Sequence, residues 1–373
     1  MASVTQIRHA ETHALRRGFT TGACATAAAL AAVRWLCEQK CPQSVTIDLP
    51  VGESVDFAIL PQQYDGQQAQ CAVVKDGGDD PDCTHGALIQ VAVTWSDVPG
   101  VQFRAGPGVA TVTLPGLELP VGEPAINPVP RQMIRETLAP WLASASQPGV
   151  MITVSVPDGE ERAKQTINAR LGLLGGISIL GTRGTVKPFS TSAFAASVRQ
   201  TIQVGRRNGE TVFVLTTGGR TEKAAQRLYP ALPERAFVQA GDFVGIGLRT
   251  AVREQCSAVA ITAMIGKLAK MAQGHFMTHV SGAAIQFTAL ADLLAADQPE
   301  LHAQLAQAHT GRHVLELLQT SPNPQFYWDR LCQQTAQETA RFIKYRMPVT
   351  VHLVDFQGQE LARASLAPQE ETA

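Results

Sequence analysis

At 373 residues, 45% apolar and 17% charged, the chain is long for a single core and too apolar for a disordered or coiled-coil protein. Its formal net charge of -1 supplies no basic footprint for nucleic acid, so any anionic partner must be met by a local cluster. Seven cysteines without a CxxC pair argue against a disulfide scaffold or structural zinc, and no apolar run reaches the roughly 18 residues of a membrane span; both observations fit a soluble cytoplasmic protein.

The first informative element is Arg16 to Trp35, RRGFTTGACATAAALAAVRW. Arg16 and Arg17, a turn through Gly18 and Gly22, and Thr20 and Thr21 precede an alanine-rich helix, whose first N–H groups lack intrahelical partners. The arrangement suits an anion cradle and equally a well-capped helix packed closely through small side chains. It is not a Walker loop, because the order GxxxxGK[ST] is absent.

Up to about residue 155 the pattern is mostly strand. Val55, Phe57 and Ile59 alternate with other residues, as do Ile89, Val91, Val93 and Trp95, and again Ile152, Val154 and Val156. A second helix is expected after NPVPR, with Pro130 near its start and Ile134, Leu138, Trp141 and Leu142 on one face. Between two strands lies VKDGGDDPDCTHG, Val74 to Gly86, with four aspartates, Lys75 and His85. Such a loop can bind a cation, orient a substrate or stand solvated; its spacing is not that of an EF-hand.

Asn168 to Ser190, NARLGLLGGISILGTRGTVKPFS, carries five glycines around a short apolar strand, with Arg170, Arg183 and Lys187 near the turns. Close approach of a ligand and a tight interdomain connection both explain those glycines. From about residue 175 strands and helices alternate: Ile177 to Leu180, a helix around Ser192 to Val204, Thr211 to Leu215, Ala258 to Thr262, and a last strand within Pro348 to Phe356. That rhythm predicts a mainly parallel sheet. The expected organisation is an α+β domain over residues 1–165 and an α/β domain with a helical C-terminal part over 166–373.

Within the second half, Thr216-Thr217-Gly218-Gly219 ends one strand and opens a helix, where α/β sheets hold the polar parts of nucleotides or nucleosides. The GxGxxG fingerprint is missing, and VGIGLRT near Gly245 is not clearly placed after a strand. In IGKLAKMAQGHFMTHVSG, Lys267 and Lys270 lie three apart and His275 and His279 four apart, the histidines sharing a face if the segment is helical. Phe276 stands where a zinc protease would need glutamate, so no metal ligand is assigned.

The order and spacing of RRGFTTGACATAAA, VVKDGGDDPDCTHG, AINPVPR, NARLGLLGGISILGT, VLTTGGR and IGKLAKMAQGHFMTH resemble the CbiD family, the cobalt-precorrin-5B C1-methyltransferases of oxygen-independent cobalamin synthesis. The resemblance implies transfer of a methyl group from S-adenosylmethionine to a cobalt-containing tetrapyrrole. It also implies a fold unlike the other methyltransferases of that pathway, with cobalt present only as part of the substrate. In that setting Arg17, Thr20, Thr21, Arg131, Arg183, Lys187, Lys267 and Lys270 are expected to meet substrate carboxylates, and Thr216, Thr217, Gly218 and Gly219 the donor. Asp79, Asp80, His275 and His279 are the candidates for orienting the ring or moving a proton, and Cys24 needs no part. Gly77, where alanine is expected, and Met277, where asparagine is expected, depart from the family pattern. Neither nucleic acid nor membrane is expected as a partner, while a homo-oligomer and transient contacts with other pathway enzymes are compatible with the reading. A small-molecule kinase using the Gly/Thr turn for phosphate, and a corrinoid carrier without activity, are the alternatives.

Overall fold

The structure is a computed structural model describing residues 15–188, 190–278 and 284–368. Two compact units divide the chain: residues up to Thr113 with Glu118–Ser190, and Leu114–Leu117 with Thr191 onward.

In the first unit, β1 (Gly18–Phe19) leads into α1 (Thr21–Glu38), followed by the hairpin β2 (Ser44–Asp48) and β3 (Ser54–Ala58). β4 (Leu60–Tyr64), β5 (Gln68–Val74), β6 (Leu88–Ser96) and β7 (Gly100–Ala105) precede the short β8 (Gly108–Val109) and β9 (Thr111–Val112). Then come α2 (Pro128–Ala143), β10 (Gly149–Ser155), α3 (Gly159–Ala163), β11 (Leu173–Leu174), β12 (Gly176–Ile177) and β13 (Thr185–Val186). The main sheet has the order β4-β5-β6-β10-β7 and mixed strand direction, with β10 parallel to β7 and antiparallel to β6. Its alternating Ile89, Val91, Val93, Ile152 and Val154 are buried, as the period-two pattern requires.

Helix α1 packs against that sheet and α2, and every residue from Thr21 to Val33 is buried. A helix enclosed on all sides leaves little room for side chains. Seven of those thirteen positions are alanine, which preserves helix propensity while letting neighbouring backbones approach.

The expected boundary near residue 165 falls inside the first unit, and so does the apolar run Ile177 to Leu180. β11 pairs with β9, β12 with β8, and β13 with β1, tying residues 173–186 to the N-terminal part by backbone hydrogen bonds. Those partners are two-residue ladders, too short to leave a periodicity. Several of the glycines serve this close pairing: a Cβ at Gly176 would fall 2.0 Å from the Gly108 carbonyl oxygen.

The second unit runs α4 (Thr191–Arg207), β14 (Val212–Thr216), α5 (Gly219–Leu228), β15 (Phe237–Gln239), α6 (Val244–Arg253), β16 (Ala258–Ala263) and α7 (Ile265–Ala272). Helices α8 (Phe287–Ala295), α9 (Pro299–Ala306), α10 (Gly311–Gln319) and α11 (Pro324–Phe342) precede β17 (Val349–Val354) and β18 (Glu360–Leu366). Strands order as β15-β14-β16-β17-β18, parallel except for β18. One face packs Val214, Phe237 and Ala260 against Ala225 of α5. The other packs Phe213, Leu215, Val238 and Ile261 with α4, α6 and the C-terminal helices. VGIGLRT therefore does follow a strand, opening α6 after β15 across the turn Ala240-Gly241-Asp242.

Because Ala and Leu differ little in helix propensity, Ala28→Leu in α1 isolates packing. The enclosed site should lose about 1–3 kcal/mol from overpacking, measured as a lower urea midpoint with an unchanged slope.

Candidate functional site

Helix α1 begins with the N–H groups of Gly22 and Ala23 already engaged. Thr20 caps it, its hydroxyl accepting from the Ala23 N–H at 3.1 Å, and the Gly22 N–H donates to the Leu180 carbonyl at 3.0 Å. The Thr21 hydroxyl accepts from the Leu180 N–H at 2.9 Å. Thr20 and Thr21 are both buried. The anion cradle expected here is thus filled by the chain's own Leu180 backbone and by Thr20, which also removes the basis for a phosphate loop of the kinase type. Cys24 lies wholly buried in the same turn, and burial pushes its thiol up to about 12, so it remains protonated.

In front of that helix the Arg16 turn and the acidic loop are clasped together. The Arg16 N–H donates to Asp79 Oδ2 at 2.7 Å, the Arg16 guanidinium binds Asp76, and the Asp79 N–H returns a bond to the Arg16 carbonyl at 3.0 Å. The Arg16 hydrogen bond holds the Asp76 carboxyl at about 2, well below its ordinary range. Gly18 has to be glycine, since a Cβ there would fall 2.0 Å from the Gly77 carbonyl carbon.

The acidic loop is not simply solvated. Lys75 is 1% exposed, and its ammonium sits 2.6 Å from Asp82 Oδ2, with Thr84 donating to the same carboxylate. Burial alone would raise the Asp82 pKa, but the hydrogen bonds from Lys75 and Thr84 outweigh it and the group is held low. A buried cation and its carboxylate therefore fix the loop, and Asp76, Asp79 and Asp80 are carried on that frame. Asp80 is half-buried, while Asp79 is exposed and shares the clasp with Arg16.

Of the first unit's candidate cations, Arg131 is occupied. Its guanidinium donates to the Ile126 carbonyl at 2.7 Å and the Pro124 carbonyl at 3.0 Å, pairs with Glu123 at 2.9 Å and lies over the Phe103 ring. It holds its own loop instead of presenting charge. Arg17, Arg183 and Lys187 are exposed; Arg17 and Lys187 flank the Gly18–Val186 end of the ladder, and Arg183 lies beyond its Phe19–Thr185 end. Among the described residues, the ion-pair partner of Arg17 is the distant Glu53 at 3.7 Å. A separate cavity of about 630 Å³ beside Trp141 and Met133 is bordered by Asp48 and Glu136, whose charge disfavours a polyanion.

In the second unit the strand order has its switch point between the carboxyl ends of β14 and β16, because β14 leads to α5 on one face and β16 to α7 on the other. The Thr216–Gly219 turn lies at this point. Thr216 is fully buried, its hydroxyl donating to the Val238 carbonyl at 3.3 Å, so it supports the turn without facing a ligand. The Thr217 N–H donates to the Thr221 hydroxyl at 3.0 Å. At Gly218 and Gly219 the space a Cβ would enter is open, and α5 has no side-chain cap.

Beneath the turn a polar row crosses the sheet in register: Gln239, Thr216, Thr262 and His352. In the layer before it, Phe237, Val214 and Ala260 are apolar and Thr350 of β17 is polar. Thr262 is fully buried, and its hydroxyl has no hydrogen-bond partner among the described residues. Gln239 donates through Nε2 to Glu222, a buried carboxylate in the first turns of α5. His352 bonds Glu360 through Nδ1 and the Tyr229 hydroxyl through Nε2, both at 2.7 Å, and burial lowers its pKa despite the Glu360 contact. Sequence reasoning missed Gln239, Glu222 and Thr262. The usable signal was the placement of Gln239, at the end of the strand following the Gly-rich turn and its helix.

Lys267 and Lys270 bind protein groups. Lys267 Nζ lies 2.5 Å from Asp242 Oδ1, which also accepts from the Thr278 hydroxyl at 2.8 Å, and Lys270 donates to the Thr278 carbonyl at 2.8 Å. The two lysines tether the segment after α7. That helix ends at Ala272, and Gly274 has φ +82°, so His275 lies beyond the helix and the condition under which the two histidines would share a helical face is not met at His275. His275 is exposed; His279 lies outside the described residues. Asp79 and Asp80 belong to the first unit and His275 to the second. Among the described residues no group of three or more His, Cys, Asp or Glu side chains is arranged to hold a metal ion, and no helix is long and apolar enough to cross a membrane.

Replacing Asp82 by Asn leaves the Lys75 ammonium buried without its counter-charge and should cost about 3–5 kcal/mol in urea unfolding. Adding Lys75→Met to that variant should recover most of the loss. Equal stability of Asp82→Asn and the parent would show that the pair does not organise the loop.

Comparison with known proteins gives consistent matches. The family model CbiD matches residues 8–188, and the model CbiD, C-terminal domain, matches residues 277–365. A protein of Geobacillus sp. (strain WCH70), named cobalt-precorrin-5B C(1)-methyltransferase, is 48% identical over 94% of this chain and 96% of its own length. Proteins of the same name from Salinispora tropica and Leptospira borgpetersenii are 46% and 44% identical, each over 94% of this chain and over 93% and 96% of their own lengths. A crystal structure titled cobalamin biosynthesis protein (cbiD) from Archaeoglobus fulgidus is 29% identical, with a TM-score of 0.39, covering 71% of this chain and 82% of that one.

Proposed function

The chain belongs to the CbiD family, and from that premise we propose that it methylates carbon 1 of cobalt-precorrin-5B, giving cobalt-precorrin-6A in anaerobic cobalamin synthesis, with S-adenosylmethionine as donor. The observation that carries this reading is 48% identity over 94% of the chain to a relative of that named activity.

The donor's sulfonium makes the methyl group electrophilic, so the ring carbon supplies an electron pair, the new C–C bond forms as the S–CH3 bond breaks, and a neutral thioether leaves. No covalent nucleophile on the protein is needed, in keeping with the buried, protonated Cys24. The chain's contribution is alignment, exclusion of water and electrostatic complementarity.

The donor's seat in this reading is the carboxyl edge of β14 and β16. Open space at Gly218 and Gly219 and the uncapped start of α5 suit the donor's carboxylate. Arg17, Arg183 and Lys187 remain exposed on their ladder and suit the acetate and propionate groups of the macrocycle. Lys267, Lys270 and Arg131 act at one remove, by holding the loops around them. Asp79, Asp80 and His275 stay as candidates for proton movement, with Asp79 oriented by the Arg16 N–H.

Anaerobic incubation with cobalt-precorrin-5B and S-adenosylmethionine labelled in its methyl group should place the label on ring carbon 1, read by NMR. Arg17→Ala with Lys187→Ala should raise KM for the macrocycle about tenfold, leaving KM for the donor within twofold. Binding of the ring without label transfer contradicts the activity, and a larger loss of donor than of macrocycle affinity moves the cations to the donor.

A further inference from the structure

Resting on the donor seat proposed above, we infer that Gln239, oriented by the buried Glu222, reads the vicinal hydroxyls of the donor's ribose. Three observations converge. Gln239 is the last residue of β15, the strand next to β14, and is paired in register with Thr216 at the Gly-rich turn. In a strand–turn–helix–strand unit of this kind, the end of the second strand is where a nucleoside's sugar falls when its polar end lies at the first turn.

The second observation is chemical. Gln239 is exposed, yet its amide is not free to rotate, because Nε2 donates to the carboxylate of Glu222, which is 5% exposed. With Nε2 turned toward that carboxylate, Oε1 is turned away from it and is left as an acceptor at the sheet edge. A hydroxyl pair can donate to such an acceptor, and an oriented amide loses less entropy on binding than a mobile one.

Third, the same register row contains Thr262, whose hydroxyl is fully buried and has no partner among the described residues. A buried unpaired hydroxyl is costly and marks a polar environment completed by something else. On the strands β15, β14 and β16, Gln239, Thr216 and Thr262 succeed the apolar layer Phe237, Val214 and Ala260 of the same face.

Glu222 is accordingly a positioning residue and Gln239 the contact. S-adenosylhomocysteine and its 2′-deoxy and 3′-deoxy analogues separate these roles in the full-length protein by calorimetric titration. Gln239→Ala should weaken S-adenosylhomocysteine about tenfold while leaving at least one deoxy analogue within twofold of its parent-protein affinity. Glu222→Gln should reproduce that selectivity in weaker form; the surface variant Gln239→Ala carries the test should Glu222→Gln fail to fold. A uniform loss across all three ligands, or no loss, for Gln239→Ala overturns the inference. Gly219→Val is the control for the seat itself: it should weaken all three ligands equally. Unchanged binding to Gly219→Val overturns the seat and the inference together, whereas its loss with a non-selective Gln239→Ala overturns the inference alone.

Discussion

Where a helix sends its first N–H groups decides what its N-terminus can do. Two Gly/Thr turns in this chain precede a helix: the first reads in sequence as an anion cradle or a helix cap, the second as a seat for the polar parts of a nucleotide or nucleoside. In α1 the helix is buried from its first residue, and buried donors must be satisfied from within the protein, so Thr20 and the Leu180 carbonyl take them. In α5 the turn lies at a sheet edge with open space at Gly218 and Gly219 and no side-chain cap. One turn has become architecture and the other is available.

The same economy governs the charges. Lys75 is buried on Asp82, while the half-buried Arg131 binds its own loop, Lys267 binds Asp242 and Lys270 the Thr278 carbonyl. Each of these cations sets a loop conformation. Of the candidate cations, Arg17, Arg183 and Lys187 stay exposed around the β1–β13 ladder, which pairs residues nearly 170 positions apart in sequence, and they are the group proposed for the ring's carboxylates. Their setting combines solvent access with a rigid backbone, which favours selective recognition of carboxylates over tight burial.

Much of this was legible before the structure. Period-two runs such as Ile89 to Trp95 and Ile152 to Val156 read correctly as a half-buried sheet, and the strands around Val214 and Ile261 as a parallel one, because long regular elements carry their packing in their spacing. The boundary at 165 did not hold because residues 173–186 are tied back by two-residue ladders that no periodicity reveals. Arg131 and Lys267 show a second limit: sequence locates a charge but not its partner, and both partners here lie in loops whose course depends on the whole fold. Gln239 and Glu222 were invisible for a related reason, since a glutamine at a strand end has no distinguishing pattern until the strand order is known.

The central claim is that the donor is held at the carboxyl edge of β14 and β16, not at the start of α1. Hydrogen–deuterium exchange with and without S-adenosylhomocysteine addresses it directly. Added ligand should slow exchange across residues 217–222 and 239–242 while leaving residues 20–24 unchanged. Protection confined to residues 20–24 would contradict it.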